Sequence, residues 1–132
     1  MHTTLLFSLF LCHWLADFSP LSTAWMLKAK EKGSPLFPIF VHACVHGGLM
    51  SIVFVLINPI SDPVWLLPIL FQITSHFLID VLKGKLGVWF PTLADSSNKW
   101  HWFVFGMDQF LHTITILYMV VLWDSSTVCG KF

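Results

Sequence analysis

The chain predicts an all-α integral membrane protein, and three observations carry that prediction. Of 132 residues, 56% are hydrophobic and only 11% charged, against about 25% charged in ordinary soluble chains. Mean hydropathy is +0.76. Four apolar stretches are each long enough for a spanning helix, which needs about 20 residues, and they alternate with short polar connections. At this length the chain is a single domain, and the pattern is that of a four-helix up-down bundle.

The first predicted helix runs from about residue 3 to 27, with Pro20 inside it. Proline removes one backbone hydrogen bond and kinks a helix, here just after Asp17. Residues 28–35, containing Lys28, Lys30, Glu31, Lys32, Gly33 and Pro35, are expected to form a charged turn. The second helix covers about 36–57 and is followed by a turn at 58–63. The third covers about 64–82 and is expected to stop at Lys83-Gly84-Lys85. Residues 83–99 mix Leu86, Val88, Trp89 and Phe90 with Gly87 and Pro91, which suggests an interfacial loop. The fourth helix covers about 100–123, leaving a polar tail from Asp124. The segment before the first helix has no basic run, so the N-terminus is expected to be retained and not cleaved as a signal.

Lysine sets the expected orientation. Lys28, Lys30, Lys32, Lys83, Lys85 and Lys99 fall in the two connections that share one side; only Lys131 falls on the other. The positive-inside rule places the lysine-rich connections in the cytoplasm and both termini outside. Trp65 and Trp123 are then expected at the outer interface, and Trp25, Trp89, Trp100 and Trp102 at the inner one. Net charge is zero and there is no arginine, so nothing suggests a nucleic-acid partner. The partner is the lipid bilayer. Cys12, Cys44 and Cys129 have no framework spacing and predict no disulfide scaffold.

The chemistry lies in pairs of ionisable residues four apart. His13 and Asp17, His42 and His46, His76 and Asp80, and Asp108 and His112 each sit in a different apolar helix. A spacing of four puts both members on one helix face, and two such side chains can share one metal ion. Counted from the cytoplasmic ends, the four pairs overlap in one slab of the inner leaflet. Bundle cores build metal sites from such pairs on facing helices. Each ionisable group in hydrocarbon is costly unless paired or functional. His–Asp pairing alone would satisfy three helices, but it leaves His42 and His46 facing each other as like bases. The expected cofactor is one or two divalent ions, zinc by ligand type; eight candidate ligands exceed the four that one tetrahedral zinc needs, so two ions fit them better.

Asp17 and Asp108 are the candidate catalytic carboxylates, and Lys85 and Lys99 the candidate contacts to a phosphate. Gln109 is a candidate supporting residue. His101 is expected to be an interfacial residue, and Gly47-Gly48 a site of close helix approach.

The motifs together resemble a known group. His13-x-x-x-Asp17-Phe18 with Trp25-Met26 and Lys28/Lys30, His42-x-x-x-His46, His76-Phe77-Leu78-Ile79-Asp80 with Lys83, and Asp108-Gln109-x-x-His112 resemble a family of small multi-pass membrane proteins of bacteria and phages, classed only by a domain of unknown function. Members commonly carry glutamine where this chain has Leu21 or Ser22. The motifs are more distantly similar to inner-membrane proteins described as metal-dependent hydrolases, and to all-helical zinc phosphoesterases. The resemblance implies an inner-membrane location, while the family itself supplies no activity; the number of paired donors is what suggests metal-dependent hydrolysis of a phosphoester or lipid headgroup. Alternatives from other classes are a metal or proton transporter built as a homo-oligomer, a di-iron oxidase, and a metal-stabilised interaction protein. Apolar outer helix halves weigh against transport, and the absence of clustered HxxHH boxes weighs against the oxidase.

Overall fold

A computed structural model describes residues 2–57 and 63–129 and is all-helical. Its long helices are α1 (His2–Phe18), α3 (Leu36–Ile57), α4 (Leu66–Trp89) and α5 (Lys99–Cys129). A short helix, α2 (Ala24–Lys32), lies between the first two. Single 3-10 turns occupy Pro63–Trp65 and Pro91–Leu93. Three helices, α3, α4 and α5, are long and apolar enough to cross a membrane; α1 is apolar but has only 17 residues.

The local chemistry explains several departures from the expected boundaries. The stretch expected as one helix over 3–27 is two, because Ser19 precedes proline and the pre-proline residue avoids the helical region. Pro20 therefore ends α1 and does not merely kink it. Thr23 then caps α2, its hydroxyl accepting the Met26 N–H at 3.5 Å. Gly33 closes α2 in the left-handed conformation, φ 62°, which glycine alone adopts at no steric cost. The predicted charged turn is thus largely helix, with Lys30 and Lys32 in its last turn. Lys83-Gly84-Lys85 does not stop α4, which continues to Trp89 and ends before Pro91. The expected loop over 83–99 shrinks to 90–98. Asn98 opens α5 by accepting the Trp100 N–H at 3.0 Å, and α5 runs on through most of the expected polar tail. Pro38 and Pro68 sit in the first turns of α3 and α4, where a missing N–H costs nothing. The turn expected at 58–63 and Lys131 lie outside the described residues, apart from the 3-10 turn that begins at Pro63.

Packing runs from α1 to α3, α3 to α4, α4 to α5, and α5 back to α1, while α2 lies against α3 and α4. Each long helix buries a stripe at spacing near four, and each stripe changes character along its length. On α1 it reads Leu5, Leu9, His13; on α3, His42, His46, Met50, Phe54; on α4, Ile69, Gln72, His76, Asp80, Gly84. On α5 it runs Asp108, His112, Ile116, Met119, Trp123. The interior therefore has two layers. One is an apolar core of Leu5, Leu9, Met50, Phe54, Ile69, Ile116, Met119 and Trp123. The other is ionic. The outside is apolar instead, with Phe7, Trp14, Leu56, Trp89 and Phe103 all exposed, the reverse of a water-soluble fold. Trp25, Trp100 and Trp102 are also exposed, but Trp123 is not: it packs into the core, its ring 6.0 Å from that of Phe54.

Glycine fixes two contacts. A Cβ on Gly47 would come within 2.5 Å of Ile73, so α3 and α4 touch there, whereas Gly48 faces open space. The tighter contact was not foreseen. A Cβ on Gly84 would lie 2.2 Å from the backbone nitrogen of Gly33 and 2.4 Å from the carbonyl oxygen of Lys30. The C-terminal end of α2 is thus seated directly on α4.

Candidate metal centre

The ionic layer gathers residues from all five α-helices. Asp17 Oδ1 lies 3.0 Å from His42 Nε2 and 3.4 Å from His46 Nε2, and the two imidazole nitrogens are 3.2 Å apart. A tetrahedral ion with ligand bonds of about 2.0–2.2 Å holds its ligand atoms about 3.3–3.6 Å apart. The Asp17–His42–His46 triangle therefore has nearly the dimensions of one face of such a polyhedron, and His76 can complete it. Asp17, His42, His46 and His76 form one group that could hold a metal ion, and His76, Asp80 and His112 form a second. In the second group Asp80 Oδ2 is 3.3 Å from His76 Nε2 and Asp80 Oδ1 is 3.5 Å from His112 Nε2.

The donor atoms are buried and underused. His42, His46, His76 and Asp80 are fully buried. The Nε2 atoms of His76 and His112 have no hydrogen-bond partner, and neither do the Nδ1 atoms of His13, His42, His46, His76 and His112. Buried polar groups normally find partners, and an ion in the cluster would take up the converging Nε2 lone pairs of His76 or His112. Six of the eight ligands expected from spacing fall in the two groups. His13 and Asp108 do not, although both are adjacent. His13 Nε2 is 3.4 Å from Asp17 Oδ2 with its ring 4.9 Å from that of His46. Asp108 Oδ1 is 3.5 Å from His112 Nε2.

Lys30 is the residue that spacing did not reveal. Its ammonium reaches in from α2, donates to Asp17 Oδ1 at 3.0 Å, and lies 2.9 Å from His42 Nε2 and 3.3 Å from Asp80 Oδ2. Burial pulls against its charge, but the Asp80 and Asp17 carboxylates outweigh that and hold its pKa above the ordinary value. A readable signal existed. Met26, Ala29, Lys30 and Gly33 follow helical spacing between a threonine cap and a glycine stop.

A cavity of about 310 Å³ adjoins the cluster. Asp17 and Asp108, the two candidate catalytic carboxylates, both line it, as do Lys30 and Lys83. Lys85 and Lys99, expected at a phosphate, are absent from its lining. Lys85 packs its stem beside Gly33, and Lys99 lies 5.8 Å over the Trp100 ring. Lys83 lines the cavity instead. It pairs with Asp108 Oδ2 at 3.2 Å, not with Asp80, because the continued helix turns it toward α5. Gln109 supports the same carboxylate, donating from Nε2 at 3.2 Å. His101 also lines the cavity, and its Nδ1 lies 2.8 Å from the Leu93 carbonyl oxygen, tying α5 to the loop before it.

No curated protein and no solved structure matches the chain. A family model described as a protein of unknown function (DUF3307) matches residues 5–130, nearly the full length, and the chain belongs to that family.

Proposed function

We propose that the chain is a membrane-embedded metal-dependent hydrolase that acts on a phosphoester or lipid headgroup. In this reading α1, α3, α4 and α5 form a four-helix up-down bundle in the cell inner membrane, with both termini on the non-cytoplasmic side and the ionic layer toward the cytoplasm. The cofactor is one or two divalent ions, zinc by its preference for nitrogen and oxygen donors in tetrahedral geometry. The observation that supports this most is the junction of two features. A triangle of buried donors with the edges of a zinc polyhedron adjoins a cavity lined by carboxylates from two different helices.

A divalent ion held there supplies charge neutralisation at phosphorus and a water of lowered pKa. The protein's own groups do the rest. Asp108 faces the cavity from α5 and is positioned to accept a proton, held by Lys83 and Gln109. Asp17 joins the cavity to the donor triangle. The ammonium of Lys83, only partly buried, offers a contact to a phosphate oxygen. The cavity walls include Phe18, Leu27 and Phe105, which suit an apolar substituent on the substrate. The apolar core fills the other half of the interior, which favours a one-sided pocket over a transport path.

Elemental analysis of detergent-purified protein tests the reading, beside a His42→Ala/His46→Ala variant. Stoichiometric zinc in the wild type, lost in the variant, is the expected result, together with zinc-dependent release of phosphate or headgroup from mixed phospholipid micelles. Metal-free wild type that gains none on zinc addition overturns the metal centre. Full metal without hydrolysis of any phosphoester tried overturns the enzyme reading.

A further inference from the structure

Resting on that metal reading, the geometry decides how many ions the centre takes. His76 belongs to both donor groups, and one imidazole nitrogen has one lone pair to give. If His76 completes the four-residue group, the second group is left with Asp80 and His112 alone. At that point Lys30 intervenes. Its ammonium lies 2.9 Å from His42 Nε2 and joins Asp17 Oδ1 on one group to Asp80 Oδ2 on the other, so a cation already stands between the two carboxylates.

Charge points the same way. Asp17, Asp80 and Asp108 already face the side chains of Lys30 and Lys83, so a second dication would add charge where two cationic groups stand, in a region where uncompensated charge is costly. Lys30 is also not free to leave. Gly84 admits the backbone of Lys30 and Gly33 to within the radius of one methyl group, so the base of the side chain is fixed on α4.

We propose that the centre holds one divalent ion, in the Asp17–His42–His46–His76 group, and that Lys30 is its second cation, standing at Asp80 where another ion would stand. The assignment makes Lys30 a positioning residue of the centre and gives Asp80 an ammonium partner instead of a metal.

The test is stoichiometry on the full chain in detergent, loaded with zinc and freed of excess by gel filtration. Wild type is expected to hold one ion per chain and Lys30→Arg also one. Lys30→Met is expected to take up a second, weaker ion, approaching twice the wild-type content at excess zinc. Two ions in wild type, or one in Lys30→Met, overturns the proposal. No ion in wild type instead overturns the metal reading beneath it. Should Lys30→Met fail to give a monodisperse protein, cobalt-loaded wild type decides: an uncoupled high-spin signal by electron paramagnetic resonance supports one ion, and a spin-coupled pair overturns it.

Discussion

Replacing Gly84 by alanine should unseat α2. The added methyl would lie 2.2 Å from the Gly33 nitrogen, 2.4 Å from the Lys30 carbonyl oxygen and 2.6 Å from the Gly33 Cα. All three obstacles are backbone, so no rotamer change can relieve them. Ordinary contact begins near 3.4 Å, so α2 must retreat by about 1.2 Å. Overpacking of this kind costs about 1–3 kcal/mol. Two other glycines calibrate the result. At Gly47 the obstacle is the side chain of Ile73 at 2.5 Å, and a strained rotamer costs about 0.5–1.5 kcal/mol, roughly offset by the helix preference of alanine over glycine. At Gly48 nothing lies within 4 Å, so alanine should stabilise by up to about 1 kcal/mol. Unfolding of the three variants in mixed micelles, followed by tryptophan fluorescence, should rank Gly48→Ala as most stable, then Gly47→Ala, then Gly84→Ala. Gly84→Ala should also raise zinc content above one ion per chain at excess zinc, as Lys30→Met does, because Lys30 is displaced with its helix. A Gly84→Ala protein as stable as Gly48→Ala would refute the seating of α2 on α4.

Three further outcomes follow from the same geometry. Chelation should destabilise the protein, because an ion that binds only the folded state at a hundred times its dissociation constant adds about 2.7 kcal/mol; an unfolding midpoint that ignores both chelator and added zinc would contradict this. Lys83→Ala should leave zinc content unchanged, since Lys83 contacts Asp108 and neither donor group, but should raise KM for an anionic phosphoester more than it lowers kcat; loss of zinc would contradict it. His101→Ala removes the contact to the Leu93 carbonyl, worth about 1 kcal/mol, and should speed protease cleavage within 90–98 in mixed micelles, leaving zinc content unchanged.

The candidate donors were legible because spacing on a helix is geometry. His42 and His46 must share a face, and a charge in an apolar helix must turn inward. Nothing in spacing says which pairs meet across helices. Hence His13 and Asp108, expected among the ligands, lie beside the two donor groups and not within them. The helix limits failed where a strong local signal met a tertiary one. Lys83-Gly84-Lys85 looks like a helix end, yet α4 continues because Gly84 is the seat for α2 and Lys83 finds Asp108. Lys30 was hidden because lysine near an apolar helix end ordinarily marks the interface. Only the break at Pro20 turns its helix back over the cluster.

The length of α1 has a consequence for the surrounding lipid. Seventeen residues rise about 26 Å, while the hydrocarbon layer of a typical bilayer is about 30 Å thick. If α1 crosses with the other three helices as proposed, a bilayer would meet a mismatch of roughly 4 Å along that flank, and lipids relieve such a mismatch by thinning locally. Asp17 and Phe18, at the end of α1, also line the cavity. In the proposed bundle the flank where the membrane would dip is the flank where the cavity lies, and the elastic response of the bilayer would bring headgroups toward the donors.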